Sequence, residues 1–411
     1  MPFMTIKLAD IAFLGVVTIF IPILPIPIET QPLIALFFVV LRIRSVLKQA
    51  IIGDIEAKLI FTYLCIIIFY TVYGIYFYGY NSILTMAKVA IPLLFFLALQ
   101  RTKIEVSESL ILVFCIVHLL LLIQILAGYD VILSAMYNRF SAAKGGEYGN
   151  GISFFSYEPG YGAMYIFAAF VAIWAGIKSK RRFVYCYFLI ILIILTKSAF
   201  GFILAAVSLY ILHGHRFILK CIPALPIVFY FLPDDFRILQ VSNTLISLGE
   251  ESDWLSSLIL LEPSGMTRLL KNIPSIYYGF LSVFGFGVGS FETEFSKIAQ
   301  GIELYREHPL LKEVYESGST VAAPDSFLSL SAFEMGFFSL LYVVAIWLIL
   351  VKIKDSQGMR IFTAGLMITV LFTLQSQISS PILLYVLYCL AHGFYAQKLS
   401  DGKGNCPKDC K

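Results

Sequence analysis

The chain has 411 residues, of which 59% are hydrophobic and 14% charged, with a mean hydropathy of +0.86. Soluble globular domains carry about 45–50% apolar and about 25% charged residues, so composition excludes an ordinary soluble protein of two or three domains. The formal charge of +4 says nothing of nucleic acid until the placement of the basic residues is known.

Apolar runs fall near residues 9–28, 31–46, 59–79, 83–100, 108–127, 159–177, 183–196, 199–213, 217–232, 327–351, 360–378 and 380–397. Spans of about 20 residues each account for most of the chain. The predicted fold is therefore all-α: a polytopic transmembrane helix bundle of about twelve spans. The first run is read as a span and not as a cleaved signal peptide, because it is long and no small-residue cleavage site follows Leu24-Pro25-Ile26-Pro27.

Orientation follows from the bias of lysine and arginine toward the cytoplasmic side. With the N-terminus inside, the inner segments collect Lys7, Arg42, Arg44, Lys48, Lys58, Arg101, Lys103, Lys178, Lys180, Arg181, Arg182, Arg216, Lys220, Lys352, Lys354 and Arg360. The tail, residues 398–411, adds Lys398, Lys403, Lys408 and Lys411. Both termini are thus expected in the cytoplasm. Cys65, Cys115, Cys186 and Cys389 sit within spans, Cys221 at an inner helix end, and Cys406 and Cys410 in the tail, so no disulfide framework is implied.

Two outer loops break the pattern of short turns. Residues 1–232 hold nine spans with one outer loop at 129–158, residues 233–326 form a long outer loop between spans nine and ten, and residues 327–397 hold the last three spans. Amphipathic stretches at Phe236 to Leu248 and Met266 to Leu281 predict short helices lying over the outer face of the bundle. A two-halved transporter of the major-facilitator type carries its long loop inside, between spans six and seven, which this pattern does not match.

Ionisable groups at membrane depth or at its outer edge are costly and often functional. Arg139 stands in Tyr137-Asn138-Arg139-Phe140-Ser141, with a solvated loop arginine as its alternative reading. Tyr157-Glu158-Pro159 opens span six, where acid plus proline is also an ordinary helix start. Lys197 and Ser198 occupy a tight turn between spans, where a lysine snorkelling to the interface is the alternative. Lys88 in span four has the same alternative, and His118 in a leucine run reads as a hydrogen-bonded core histidine.

The long loop supplies Ser264-Gly265-Met266-Thr267-Arg268, then Gly285-Phe286-Gly287-Val288-Gly289-Ser290, then Arg306, Glu307 and His308, and finally Asp325 and Ser326. Glu334 and Gly336 lie inside the following span. No strand precedes the glycines and no Walker lysine follows, so they predict close backbone packing or a tight turn in preference to a nucleotide loop. No metal motif assembles from His118, His213, His215, His308 and His392, and no catalytic triad spacing is present. What remains is a set of outer cations (Arg139, Lys197, Arg268, Arg306) with carboxylates (Glu158, Glu307, Asp325). Arginine grips phosphate bidentately and lysine as a point charge, which suits a membrane-anchored diphosphate.

In these motifs the chain resembles the bacterial O-antigen polymerase (Wzy-type) family, within the O-antigen ligase and polymerase superfamily. The arginine loop followed by Glu158-Pro159 resembles that family's first outer motif, and Thr196-Lys197-Ser198 its polar turn. Ser264 to Arg268 with Gly285 to Gly289 resembles its long-loop pattern, and Asp325-Ser326 with Glu334 and Gly336 the helix that closes the loop. Ligases of the superfamily carry a histidine near that last point. Asp325 ahead of Gly336, without one, favours a polymerase; a ligase reading would take His308 as a displaced substitute.

The resemblance implies glycosyl transfer at the periplasmic face of the bacterial inner membrane, on polyprenyl-diphosphate-linked oligosaccharide. Glu158 is then the first general base and Asp325 the second. Arg139, Lys197, Ser198, Arg268, Arg306, His308 and Tyr157 bind the diphosphate and sugar. No cofactor, metal or nucleic acid is expected; membrane lipid and a chain-length regulator are the expected partners. A lipid-glycan flippase or other transporter, and a ligase, are the alternatives.

Overall fold

A computed structural model describes residues 7–21, 31–127, 152, 154–156, 159–179, 181–216, 263–301, 326–375 and 379–393, with the backbone only at 199, 263–270, 299–301, 374 and 375. Among the described residues the protein is all-helical, without strands. Among those residues, five helices are long and apolar enough to cross a membrane, by length and composition: α4 (Ile55–Tyr78), α5 (Tyr80–Leu99), α6 (Glu108–Leu126), α7 (Pro159–Gly176) and the segment Phe327–Gln357.

Shorter helices alternate with these: α1 (Leu8–Val17), α2 (Leu33–Leu41), α3 (Ile43–Ile52), α8 (Arg182–Leu195), α9 (Ala199–His213), α14 (Met359–Gln375) and α15 (Ile382–His392). The segment 327–357 is broken into α12 (Phe327–Met335), one 3-10 turn at Gly336–Ser339, and α13 (Leu340–Gln357). Between them stand α10 (Pro263–Leu281), a π turn at Phe291–Phe295 and α11 (Ser296–Gly301). The ninth expected span, 217–232, and the tail lie outside the described residues.

The bundle is built around α7 and α15, whose residues are nearly all buried. In α7, 78% of the apolar window is buried, against 22% in α6, so α7 is a central helix and α6 a peripheral one. The outward faces of the peripheral helices are apolar. Phe69, Val72 and Tyr76 of α4 and Leu120, Ile123 and Leu126 of α6 are all exposed, the inverse of a soluble helix.

The second expected run, 31–46, divides at Arg42. The guanidinium donates to the carbonyls of Ala98 (3.3 Å) and Gln100 (3.2 Å), at the C-terminal end of α5 where carbonyls lack helical partners. The chain then continues as the amphipathic α3, which exposes Ile43, Leu47 and Ile51 beside Arg44 and Lys48.

Side-chain contacts tie this end of the bundle. Asp10 accepts from the Ser107 amide (2.7 Å) and hydroxyl (2.6 Å), joining α1 to α6. Lys352 reaches Asp54 (2.6 Å) and Glu56 (3.0 Å), joining α13 to α4. We call it the Lys352 end and its opposite the Lys197 end.

Candidate functional site

The turn between α8 and α9 forms because its residues satisfy the helix ends around it. The Thr196 hydroxyl donates to the Ile193 carbonyl (2.7 Å), and the Ser198 hydroxyl accepts from the Gly201 amide (2.9 Å) as the N-cap of α9. Lys197 between them takes φ +49°, and its side chain is exposed. The Ile152 amide donates to the Leu195 carbonyl (3.2 Å). The segment leading to Tyr157-Glu158 is thereby tied to the Lys197 turn.

A second contact fixes the same segment. Phe154 and Phe155 are buried, and the Phe155 amide donates to the Tyr165 hydroxyl oxygen (3.3 Å). That hydroxyl meets His118 Nε2 at 3.0 Å, while His118 Nδ1 lies 2.8 Å from the Phe114 carbonyl. A carbonyl only accepts, so Nδ1 carries the proton of the neutral ring and Nε2 accepts from Tyr165. His118 is a hydrogen-bonded core residue, as its sequence setting implied. It also anchors the approach to Glu158.

The start of α12 comes to the same end. The Ser326 hydroxyl donates to the Thr373 carbonyl and caps α12 by accepting from the Ser329 amide (3.3 Å). Beside it, Phe372 packs on Phe200 of α9 (5.8 Å between ring centroids) and Phe167 of α7 (6.2 Å). The N-terminal ends of α7, α9 and α12 therefore gather at one end of the bundle, each following one of the polar motifs. Helix N-termini present free amides and a partial positive charge, which favours anions.

Of the expected site residues, Lys197 and Ser198 stand at this end. Arg268 lies on α10, where the backbone alone is described. Arg139, Tyr157, Glu158, Arg306, His308 and Asp325 lie outside the described residues, although Ser156, Pro159 and Ser326 immediately beside three of them are at the gathering point.

The glycine-rich stretch is a turn packed backbone against backbone on the broken helix. The amides of Phe286 and Gly287 donate to the carbonyls of Phe333 (3.0 Å) and Glu334 (2.9 Å), and the Phe337 amide to the Val283 carbonyl (2.9 Å). On the other side, the Tyr78 hydroxyl donates to the Phe286 carbonyl (3.1 Å). A Cβ on Gly289 would meet the Ser82 amide nitrogen at 2.7 Å. Phe286, Phe291 and Phe295 surround Phe333 at 4.7, 5.0 and 5.9 Å, contacts worth roughly 0.5–1.5 kcal/mol each beyond their burial.

Glu334 is buried at the centre of this seam. One carboxylate oxygen accepts from the Gly289 amide (2.9 Å), the Phe291 amide also serves the group, and the Lys88 ammonium acts on it electrostatically. Lys88 is exposed on α5. Sequence reading had assigned Lys88 only to the interface. The missed signal was a pair of opposite charges, Lys88 and Glu334, each within a strongly apolar segment. The hydroxyls of Ser82 and Ser290 are buried nearby without a hydrogen-bond partner.

At the Lys352 end the electrostatics are of another kind. Hydrogen bonding from Lys352 holds the Asp54 carboxyl below the usual carboxylate range, against a smaller opposing effect of burial. Lys178 pairs with Glu105 (3.3 Å) and Arg181 with Glu108 (3.6 Å). Among the described residues no three His, Cys, Asp or Glu side chains gather as a metal ion would require. No protein-family model matches the chain, and no curated protein and no solved structure matches it significantly.

Proposed function

We propose that this protein is a membrane-embedded polysaccharide polymerase. It transfers a growing glycan from polyprenyl diphosphate to the terminal sugar of a lipid-linked repeat unit. In this reading the chain crosses the bacterial inner membrane twelve times with both termini in the cytoplasm. Residues 233–326 form the long loop between spans nine and ten. The Lys352 end, with Arg42, Arg44, Lys178, Arg181 and Arg182, faces the cytoplasm. The Lys197 end faces the periplasm.

The supporting observation is the gathering at one end of the segments beside Glu158, Lys197 and Asp325. The chemistry asks for such an arrangement. An acceptor hydroxyl attacks the anomeric carbon, its proton passes to Glu158 or Asp325, and the bond to diphosphate breaks with its electron pair leaving on the phosphate. Diphosphate departs without a proton if cations meet it, the role of Arg139, Arg268 and Lys197. Arg306, His308, Tyr157 and Ser198 would line the sugar and phosphate path.

The test is a lipopolysaccharide gel of a strain lacking the gene. Single repeat units on the lipid core, without long chains, are expected. Loss of the single units as well would indicate a flippase, and a bare core a ligase; either overturns the proposal. In the complemented strain, Arg268→Ala and Arg268→Lys should both lose most polymerisation, because one ammonium does not replace a bidentate grip. Full activity of the alanine variant at normal membrane level removes Arg268 from the site.

A further inference from the structure

We propose that α3 is an interfacial helix that binds an anionic phospholipid at the Lys352 end, with the headgroup phosphate at Arg44 and Lys48 and the acyl chains along Ile43, Leu47 and Ile51. This goes beyond the polymerase reading and does not rest on it. The first observation is where α3 lies. It begins beside Arg42, which is tied to the carbonyls of Ala98 and Gln100 at the end of α5. It stops at Gly53, next to Asp54, which pairs with Lys352 at the start of α4. Helices α4 and α5 pack on each other and are joined through Gly79 alone, so the end of one and the start of the other share one end of the bundle. A helix of ten residues, about 15 Å long at 1.5 Å per residue, therefore runs across that end and not through the bundle.

The second observation is how its surface is divided. Val46, Gln49 and Gly53 are buried, and the helix packs on α4 and α5. Ile43, Leu47 and Ile51 are exposed by 49%, 57% and 75%; spaced four apart, they form one stripe. Arg44 and Lys48 are exposed too, each one residue, or about 100°, around the helix from its apolar neighbour. Such a helix has three faces: one for the protein, one apolar and one basic. At a membrane surface the apolar stripe meets acyl chains while the basic stripe meets headgroups.

The third observation concerns charge. Lys352, Lys178 and Arg181 at this end each have a carboxylate partner, whereas among the described residues Arg44 and Lys48 form no ion pair. They stand one helical turn apart, so their side chains are neighbours. One phosphate can then take two hydrogen bonds from the guanidinium and the point charge of the ammonium. An acidic protein segment would also suit the two cations, but it would leave the apolar stripe unexplained. That stripe continues along the chain into the exposed Val40 and Leu41 of α2, on the outward apolar surface that acyl chains cover. A zwitterionic lipid lacks the net negative charge that two such cations attract.

Leu47→Trp tests this in nanodiscs of phosphatidylglycerol and phosphatidylcholine in equal parts, with bromine on the acyl chains of one lipid at a time. The added fluorescence should be quenched severalfold more strongly by brominated phosphatidylglycerol. Arg44→Gln together with Lys48→Gln should make the two lipids quench equally. Leu120→Trp, on the exposed face of α6, should show equal quenching throughout. Three results would each overturn the proposal. Added fluorescence that neither lipid quenches would put the stripe in water or under another protein. Equal quenching with Arg44 and Lys48 intact would mean lipid contact without headgroup selection. A preference that survives the double glutamine variant, or appears equally at 120, would belong to other residues. All of these side chains are exposed, so the substitutions disturb no packed contact, and no readout depends on catalytic activity.

Discussion

The two ends of the bundle are held together by different means. At the Lys352 end, side chains reach between helices: Arg42 to the carbonyls of α5, Asp10 to Ser107, Lys352 to Asp54 and Glu56. Lys352 and Asp54 are partly exposed, and Lys352 keeps Glu56 if Asp54 is lost. At the Lys197 end and along the seam beside the α4–α5 turn, backbone lies on backbone. Gly285, Gly289 and Gly336 leave no room for a Cβ, and a single carboxylate stands where a strand or helix would otherwise supply acceptors. Contacts of the first kind set orientation at little cost. Those of the second kind fix a shape that tolerates almost no change.

The sharpest test of that contrast is Gly336→Ala. Gly336 has φ +55° and ψ −131°, and its Cβ would stand 2.1 Å from the Val283 carbonyl oxygen. A conformation of this kind costs a non-glycine residue roughly 1–3 kcal/mol before any clash, so the variant should be largely absent from the membrane fraction. Normal accumulation with an unchanged melting temperature would break the comparison.

Glu334 comes next. Glu334→Ala leaves two buried amides without an acceptor, at roughly 1–3 kcal/mol each, whereas Glu334→Gln keeps a carbonyl oxygen for Gly289. Thermal melting of the detergent-purified protein should therefore rank wild type above glutamine above alanine. Equal melting of the two variants would mean that the carboxylate does not hold the turn.

Tyr165→Phe removes the group between His118 and the Phe155 amide, and about 1–2 kcal/mol of stability should go with it. Exchange of the Phe155 amide with solvent deuterium should accelerate with little effect on the Lys352 end. If exchange is unchanged, the chain from His118 does not restrain the approach to Glu158.

The smallest effect is expected at the Lys352 end. Asp54 is 61% exposed and shares Lys352 with Glu56, so Asp54→Asn should cost no more than about 1 kcal/mol. Because its folded-state pKa is lowered, the Asp54 contribution is complete at neutral pH and fades as pH falls through that lowered value. Melting measured against pH should show this acid loss in wild type and not in the variant. A large neutral-pH loss would erase the contrast between the ends.

Much of the helical plan was legible because hydropathy is a local property. The runs at 59–79, 83–100, 108–127 and 159–177 became α4 to α7 with boundaries shifted by a few residues. The break at Arg42 was less visible, since its cause is a contact 56 residues away at the Ala98 carbonyl. In hindsight the stripe Ile43, Leu47, Ile51 beside Arg44 and Lys48 marked α3 as a separate amphipathic helix. The glycine run declared close packing, but not against what. Glu334 and Lys88 looked like isolated intramembrane charges because the amides that hold the carboxylate come from a segment 45 residues earlier. Of the candidate site, the tight turn at Thr196 to Ser198 was readable as a turn, since its hydrogen bonds are local.

The seam between Gly289 and Glu334 also constrains how the chain is made. Three amides, of Phe286, Gly287 and Gly289, wait for acceptors on Phe333 and Glu334 that emerge from the ribosome 45 or so residues later. At about 5–20 residues per second that delay is roughly 2–10 seconds. Until then water must hydrate those amides. Docking of the glycine segment is a late event in biogenesis, completed only after the helix that begins at Phe327 has been inserted beside α4 and α5.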